Sequence, residues 1–233
     1  MEAPLAGTER VLLIDTCGET AGMALCEGDR VRFAVDLEDR RASAEILPSL
    51  RQLLARSGWH LPSLNAVGVV RGPGSFTGVR TGLSFAKGLC ESTGLRLAAV
   101  SRLESLSDAA ARAATGVLLP SLPALAALDA GRGQVYVREI ASGHEWLTAV
   151  GDLHSQCRNG RAVAVAEQRL AERLSGCCVR LHPLQAGHAL HAVLRRLQEG
   201  GSDVECDANY LRTEANLYHA SARTFETGPD KAF

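Results

Sequence analysis

Between Arg71 and Gly88 the chain reads RGPGSFTGVRTGLSFAKG, five glycines in eighteen residues whose second half has the character of a helix. Glycine inside a helix costs about 1 kcal/mol relative to alanine, so this stretch constrains its surroundings strongly. It suits either a phosphate held by orphan N–H groups at a helix N-terminus or a neighbouring segment that must come very close. The phosphate fingerprints fail. A Walker loop ends in Gly-Lys-Ser/Thr, whereas Thr77-Gly78-Val79-Arg80 opens this helix; a dinucleotide loop needs glycine where Thr77 stands. An anion bound here would draw on Arg80. Gly78, Gly82 and Ala86 instead recur at i, i+4 and i+8, leaving one helix face almost bare and open to close packing. Spacing alone leaves open whether the neighbour is the chain's own preceding helix or a helix of another chain. Pro73-Gly74 supplies the turn, and Ser75 or Thr77 the cap.

The segments around this loop alternate. Val11–Asp15 is a buried strand, and GMALCEG and VRFAVDL follow it as a hairpin turned at EGDR. Ser43 opens a helix whose apolar stripe is Ile46, Leu47, Leu50, Leu53 and Leu54, with Pro48 bending its start and Gly58 stopping it. Ala66–Val70 is a strand covered on both faces, followed by the glycine helix over Thr77 to Ser92 and a strand at LRLAAV. SRLE, Ser101–Glu104, is a capping box opening a helix that runs to about Ala114. The plan is three-layer α/β with a mixed sheet. Past Pro120 and Pro123 a second unit starts, with strands ALAALDA and GQVYVREI across a tight GRG turn, a strand at RAVAVA and a helix over Gln185–Glu199. The predicted lobes are residues 1–103 and 104–233, with the tail able to pack back on the first.

Composition removes several function classes. The net charge is −1, and no basic run with interleaved aromatics exists, so strong independent RNA binding is not expected. Arg51, Arg56, Arg195 and Arg196 read as solvated helix faces. Seven cysteines without a C-x-x-C pair support neither a disulfide framework nor a zinc knuckle, although Cys17 in the first turn is notable. His182, His188 and His191 cluster without an acidic partner at metal-ligand spacing. MEAPLAGTER has no signal-peptide character, and no apolar run reaches the roughly 20 residues of a membrane span. The cytoplasm is the expected compartment.

The motif VRGPGSFTGVRTG, Val70–Gly82, resembles the signature of the bacterial TsaB (YeaZ) family, GRGPGSFTGVRIG. The likeness extends along the chain through VLLIDTCGETAGMAL, EILPSLRQLL, LAAVSRLESL, ALDAGRGQVYV and ANYLR, in the family's order. It implies the actin/Hsp70-like (ASKHA) ATPase fold in reduced form, two α/β lobes flanking a cleft. It further implies a role in forming N6-threonylcarbamoyladenosine at position 37 of ANN-decoding tRNAs. In that pathway a metal-dependent paralogue, TsaD, transfers a preformed threonylcarbamoyl group to the adenine. The TsaB-like chain is its non-catalytic scaffold, bound as a heterodimer, and the ATPase TsaE joins the assembly. ATP and a divalent metal then belong to the complex rather than to this chain, tRNA is met through the complex, and the chain alone could pair as a homodimer.

The resemblance also assigns the bare helix face to the partner. Its interface is expected at Ile46, Leu50, Leu53, Gly78, Val79, Arg80, Gly82, Leu83 and Ala86, so that Gly82→Arg removes partner binding and leaves the fold intact. The paralogue's metal-ligand histidine pair is missing from RASAEILPSL, where Ala42 stands at a position often held by histidine. In ATPases of this fold, aspartates at the positions of Asp15 and Asp129 face nucleotide and metal. Asp15, Thr16, Asp129 and Arg80 therefore form a possible nucleotide or anion site, and a nucleotide-binding ATPase-like enzyme is the alternative function. The bland reading of both aspartates is turn capping.

Overall fold

A computed structural model describes residues 9–37, 42–116, 123–174, 176–200 and 202–211. The leader reading at Met1–Thr8, Pro120 and the arginine closing ANYLR lie outside them. The first lobe runs β1 (Arg10–Asp15), β2 (Ala21–Glu27), β3 (Arg30–Leu37), α1 (Ala42–Ser57), β4 (Ala66–Val70), α2 (Phe76–Thr93) and β5 (Arg96–Val100). Helix α3 (Arg102–Gly116) leads to the second lobe: β6 (Leu125–Gly131), β7 (Gln134–Glu139), β8 (Glu145–Ala149), α4 (Val150–Arg158), β9 (Val163–Val165), α5 (Gln168–Arg173) and β10 (Cys178–Arg180). A short 3₁₀ turn, Ala186–Ala189, then precedes α6 (Leu190–Gln198).

The two sheets share one topology. Read from the hairpin edge, their strand orders are β3-β2-β1-β4-β5 and β8-β7-β6-β9-β10. In each, the central strand is antiparallel to its hairpin partner and parallel to the strand that follows the first crossover helix. Between Arg10 and Asp15, strand β1 is apolar, and both its faces are covered. Leu12 and Ile14 meet the α1–α2 side, while Val11 and Leu13 meet the side where Val193 and Leu197 of α6 lie. The last helices cross over between lobes. α3 packs on β6, β7 and β9 of the second sheet, and α6 packs on β4 and β5 of the first.

Several local expectations change. Ser43 lies inside α1, which continues through Pro48 to Ser57. Leu47 is exposed and leaves the predicted stripe, which narrows to Ile46, Leu50 and Leu53 with Leu54 half-buried. Ser101 caps α3, its hydroxyl accepting the Leu103 N–H at 3.2 Å, yet Glu104 does not close a capping box. Its carboxylate instead accepts Arg195 Nη2 at 2.9 Å. The Gln185–Glu199 helix begins as the 3₁₀ turn, whose entry is held by the Gln185 N–H donating to His188 Nδ1 at 2.9 Å.

Candidate functional site

The glycine loop joins β4 to α2 against the end of β1. Ser75 is the cap, accepting the Gly78 N–H at 3.2 Å, and its own N–H donates to the Cys17 carbonyl at 2.8 Å. The Thr16 hydroxyl donates to the Gly78 carbonyl at 2.6 Å. A Cβ on Gly78 would collide with the Thr16 carbonyl oxygen, and one on Gly82 with the Thr16 hydroxyl. The bare face therefore receives the end of a strand of the same chain, and the expectation that it receives a helix, internal or foreign, is corrected.

This moves the candidate interface. Ile46, Leu50, Leu53, Val79, Leu83 and Ala86 are buried in the chain's own core, and Gly82 is buried beside them. Gly78 is half-buried under Thr16, and of the nine residues only Arg80 is exposed. Large apolar side chains are exposed elsewhere on and beside these helices. Leu47 on α1 is 45% exposed, Phe76 on α2 57%, and Tyr210 43%. The Phe76 and Tyr210 rings lie 5.9 Å apart; Arg80 sits 3.8 Å over the Phe76 ring, and its Nε donates to the Tyr210 hydroxyl at 3.0 Å. Sequence reasoning passed over these aromatics. Periodicity gave no signal for them, since Phe76 shares the i, i+3, i+7 stripe of Val79 and Leu83 and is exposed as the first residue of α2.

Between the lobes lies a cleft of about 930 Å³. Cys17, Gly74 and Ser75 line one wall, Asp129, Tyr136 and Glu167 the other, and Arg102 also lines it. Asp15 at the end of β1 and Asp129 near the end of β6 make the same side-chain-to-backbone contact. Asp15 Oδ1 accepts the Cys17 N–H at 2.8 Å, and Asp129 Oδ1 accepts the Gly131 N–H at 2.7 Å. The cleft does not bring the four possible nucleotide residues together. Thr16 is committed to Gly78, and Arg80 is held by Phe76 and Tyr210. The second oxygen of buried Asp15 faces Arg102 Nε at 3.8 Å, so a metal at this carboxylate would meet a guanidinium. These residues do not fit a nucleotide–metal group at Asp15.

Arg102 and Glu167 were missed because each reads as an ordinary helix-start residue. Burial pushes the Glu167 carboxyl above its usual range, partly offset by Arg102 and by backbone hydrogen bonding. Burial and Asp15 likewise raise the Cys17 thiol, which donates to the Val70 carbonyl at 3.0 Å and is no activated nucleophile. His188 is held below its ordinary value by burial, which suits the neutral ring that accepts the Gln185 N–H. Arg195 and Arg196 do more than solvate a helix. Arg195 bridges Glu104 and Asp108, and Arg196 bridges Glu199 and Asp203. Among the described residues no group of three or more His, Cys, Asp or Glu is placed to hold a metal, and no helix is long and apolar enough to cross a membrane.

The family model of TsaD, tRNA N6-adenosine threonylcarbamoyltransferase, matches residues 37–177. The chain belongs to the TsaD family. Within it the likeness is to TsaB (YeaZ) proteins. The Escherichia coli (strain K12) tRNA threonylcarbamoyladenosine biosynthesis protein TsaB is 39% identical over 132 residues, 56% of this chain and 54% of that protein. TsaB of Haemophilus influenzae (strain ATCC 51907 / DSM 11121 / KW20 / Rd) is 33% identical over 130 residues, 56% of this chain and 53% of that protein. The chain thus spans about half the length of the curated relatives it matches. A Pseudomonas aeruginosa crystal structure, of a protein described as uncharacterized and similar to peptidase YeaZ, superposes with a TM-score of 0.67 at 23% identity. It covers 88% of this chain and 100% of that one. With the repeated sheet topology, this likeness shows the fold: two α/β lobes, each on a mixed sheet.

Proposed function

We propose that this chain is the non-catalytic partner of a TsaD-type transferase. It supports formation of the threonylcarbamoyl group on N6 of adenosine 37 in ANN-decoding tRNAs. The observation that carries this reading is the set of large apolar side chains exposed on and beside α1 and α2. Leu47 is 45% and Phe76 57% exposed, while Tyr210, at 43%, lies against Phe76. Large side chains of this kind, an aromatic pair with an arginine among them, are typical anchors of protein interfaces. The names of the relatives support the pathway, and the match to the transferase family supports a partner of related fold. A partner sharing this fold would offer related first-lobe helices, so that two helix pairs meet.

On this reading the metal and the acyl transfer belong to the transferase, and tRNA and a TsaE-type ATPase are engaged through the assembly. The chain's contribution is to cover and position the partner's helices. Phe76→Asp and Leu47→Asp are each expected to weaken binding to the transferase at least tenfold, about 1.4 kcal/mol, by isothermal titration. Their melting temperatures should stay at the parent value, because neither side chain lies in the core. Undiminished binding by the double variant contradicts the assigned face. Self-association that both substitutions abolish, without any transferase binding, would make the face a homodimer surface instead.

A further inference from the structure

We infer that Arg102 is the buried cation of the interlobe cleft, a tethered guanidinium that joins Asp15 of the first lobe to Glu167 of the second and stands in the way of a ligand-borne metal at Asp15. Arg102 is the first residue of α3, the helix that leaves the first sheet and packs on the second. Its backbone N–H donates to the Gly72 carbonyl at 2.7 Å, which fixes the start of the helix to the glycine loop. Its side chain is 9% exposed, with Nε 3.8 Å from Asp15 Oδ2 and Nη1 3.7 Å from Glu167 Oε1. One arginine thus faces a carboxylate from each lobe.

The first turn is shaped around it. A Cβ on Gly18 would collide with Arg102 Nη2, so the guanidinium lies directly against the turn's backbone. Asp15 Oδ1 accepts the Cys17 N–H, and its Oδ2 faces the guanidinium. A divalent ion placed at Asp15 would meet a fixed positive charge in a site shielded from water, an unfavourable contact. The arrangement is also not fully closed. Both contacts are ion pairs longer than a hydrogen bond, and Arg102 Nε and Glu167 Oε2, both buried, have no hydrogen-bond partner. A small approach of the lobes would bring both within bonding distance, about 2.8 Å for a charge-assisted contact. Arg102 is therefore a positioning residue that couples the lobes through the chain's own charge, independently of whether the proposed partner is correct.

The experiment has two arms. In the first, the wild-type chain is titrated calorimetrically with ATP in Mg²⁺ and in EDTA, and its melting temperature is read at millimolar ATP with Mn²⁺. No metal-dependent heat and no metal-dependent shift are expected; saturable, metal-dependent ATP binding by the wild type overturns the inference. In the second, Arg102→Gln, Glu167→Gln and the double variant are melted, with far-ultraviolet circular dichroism to verify folding. Coupling predicts that the double variant loses clearly less than the sum of the two single losses. Strict additivity overturns the latch. Should Arg102→Gln fail to fold, Arg102→Lys takes its place in the cycle, and the wild-type arm stands regardless.

Discussion

Gly78 and Gly82 are bare because Thr16 occupies the space where their Cβ atoms would lie. The close approach that the spacing required is between a helix and the end of β1, and it lets the Thr16 hydroxyl bond the Gly78 carbonyl at 2.6 Å. Gly82→Ala is therefore expected to cost about 1–3 kcal/mol through overpacking, read from urea unfolding midpoints, and Gly82→Arg to prevent folding. Gly88, on the same helix, has nothing within 4 Å of its absent Cβ. Gly88→Ala should stabilise by up to about 1 kcal/mol. Equal effects at the two positions would contradict this packing. The i, i+4, i+8 pattern was legible as a tight contact because it depends only on helix geometry. What it touches was not legible, since a strand end and a helix leave the same sequence signature.

Elements with a strong local pattern were readable: the apolar runs of β1 and β4, the α2 cap and the β2–β3 turn. Strand β8, with the sequence EWLTA, lacked a continuous apolar run because none of its residues is buried, and three-residue β10 is too short for any periodicity. The lobe exchange of α3 and α6 was beyond sequence reasoning, as it follows from contacts between distant segments. The chain after α6 has a comparable role at the edge of β5. The Asp203 N–H donates to the Leu97 carbonyl at 2.9 Å, and its carboxylate accepts the Ala99 N–H at 3.0 Å. A free edge invites foreign strands, and this segment covers it. Arg196 beside Asp203 holds its carboxyl below the usual range. Its stabilising contribution is thus complete above the ordinary carboxylate range and is lost as pH falls through the depressed value. Asp203→Asn should cost about 1 kcal/mol at neutral pH and flatten the acid limb of the stability curve. An unchanged acid limb would show that Asp203 does not clamp the edge.

At the scale of the molecule, two copies of one sheet topology face each other across a cleft, and each central strand carries, at or near its end, an aspartate that accepts the N–H two residues on. The repeated turn was visible in the sequence as Asp15 and Asp129, each closing an apolar run. The arginine that answers Asp15 was not, because Arg102 and Asp15 are far apart in the chain and meet only once α3 is seated. The cleft holds its own cation, and the largest exposed apolar side chains of the α1–α2 face lie outside it. Both features fit a chain that acts by presenting a surface. The most direct measurement is incorporation of labelled threonine into ANN-decoding tRNA by a reconstituted threonylcarbamoylation system, with and without this chain. Turnover should collapse when the chain is omitted and be restored by wild type but not by the Phe76→Asp, Leu47→Asp double variant, while the chain alone transfers nothing. Equal modification with and without the chain would contradict its role as the transferase's partner.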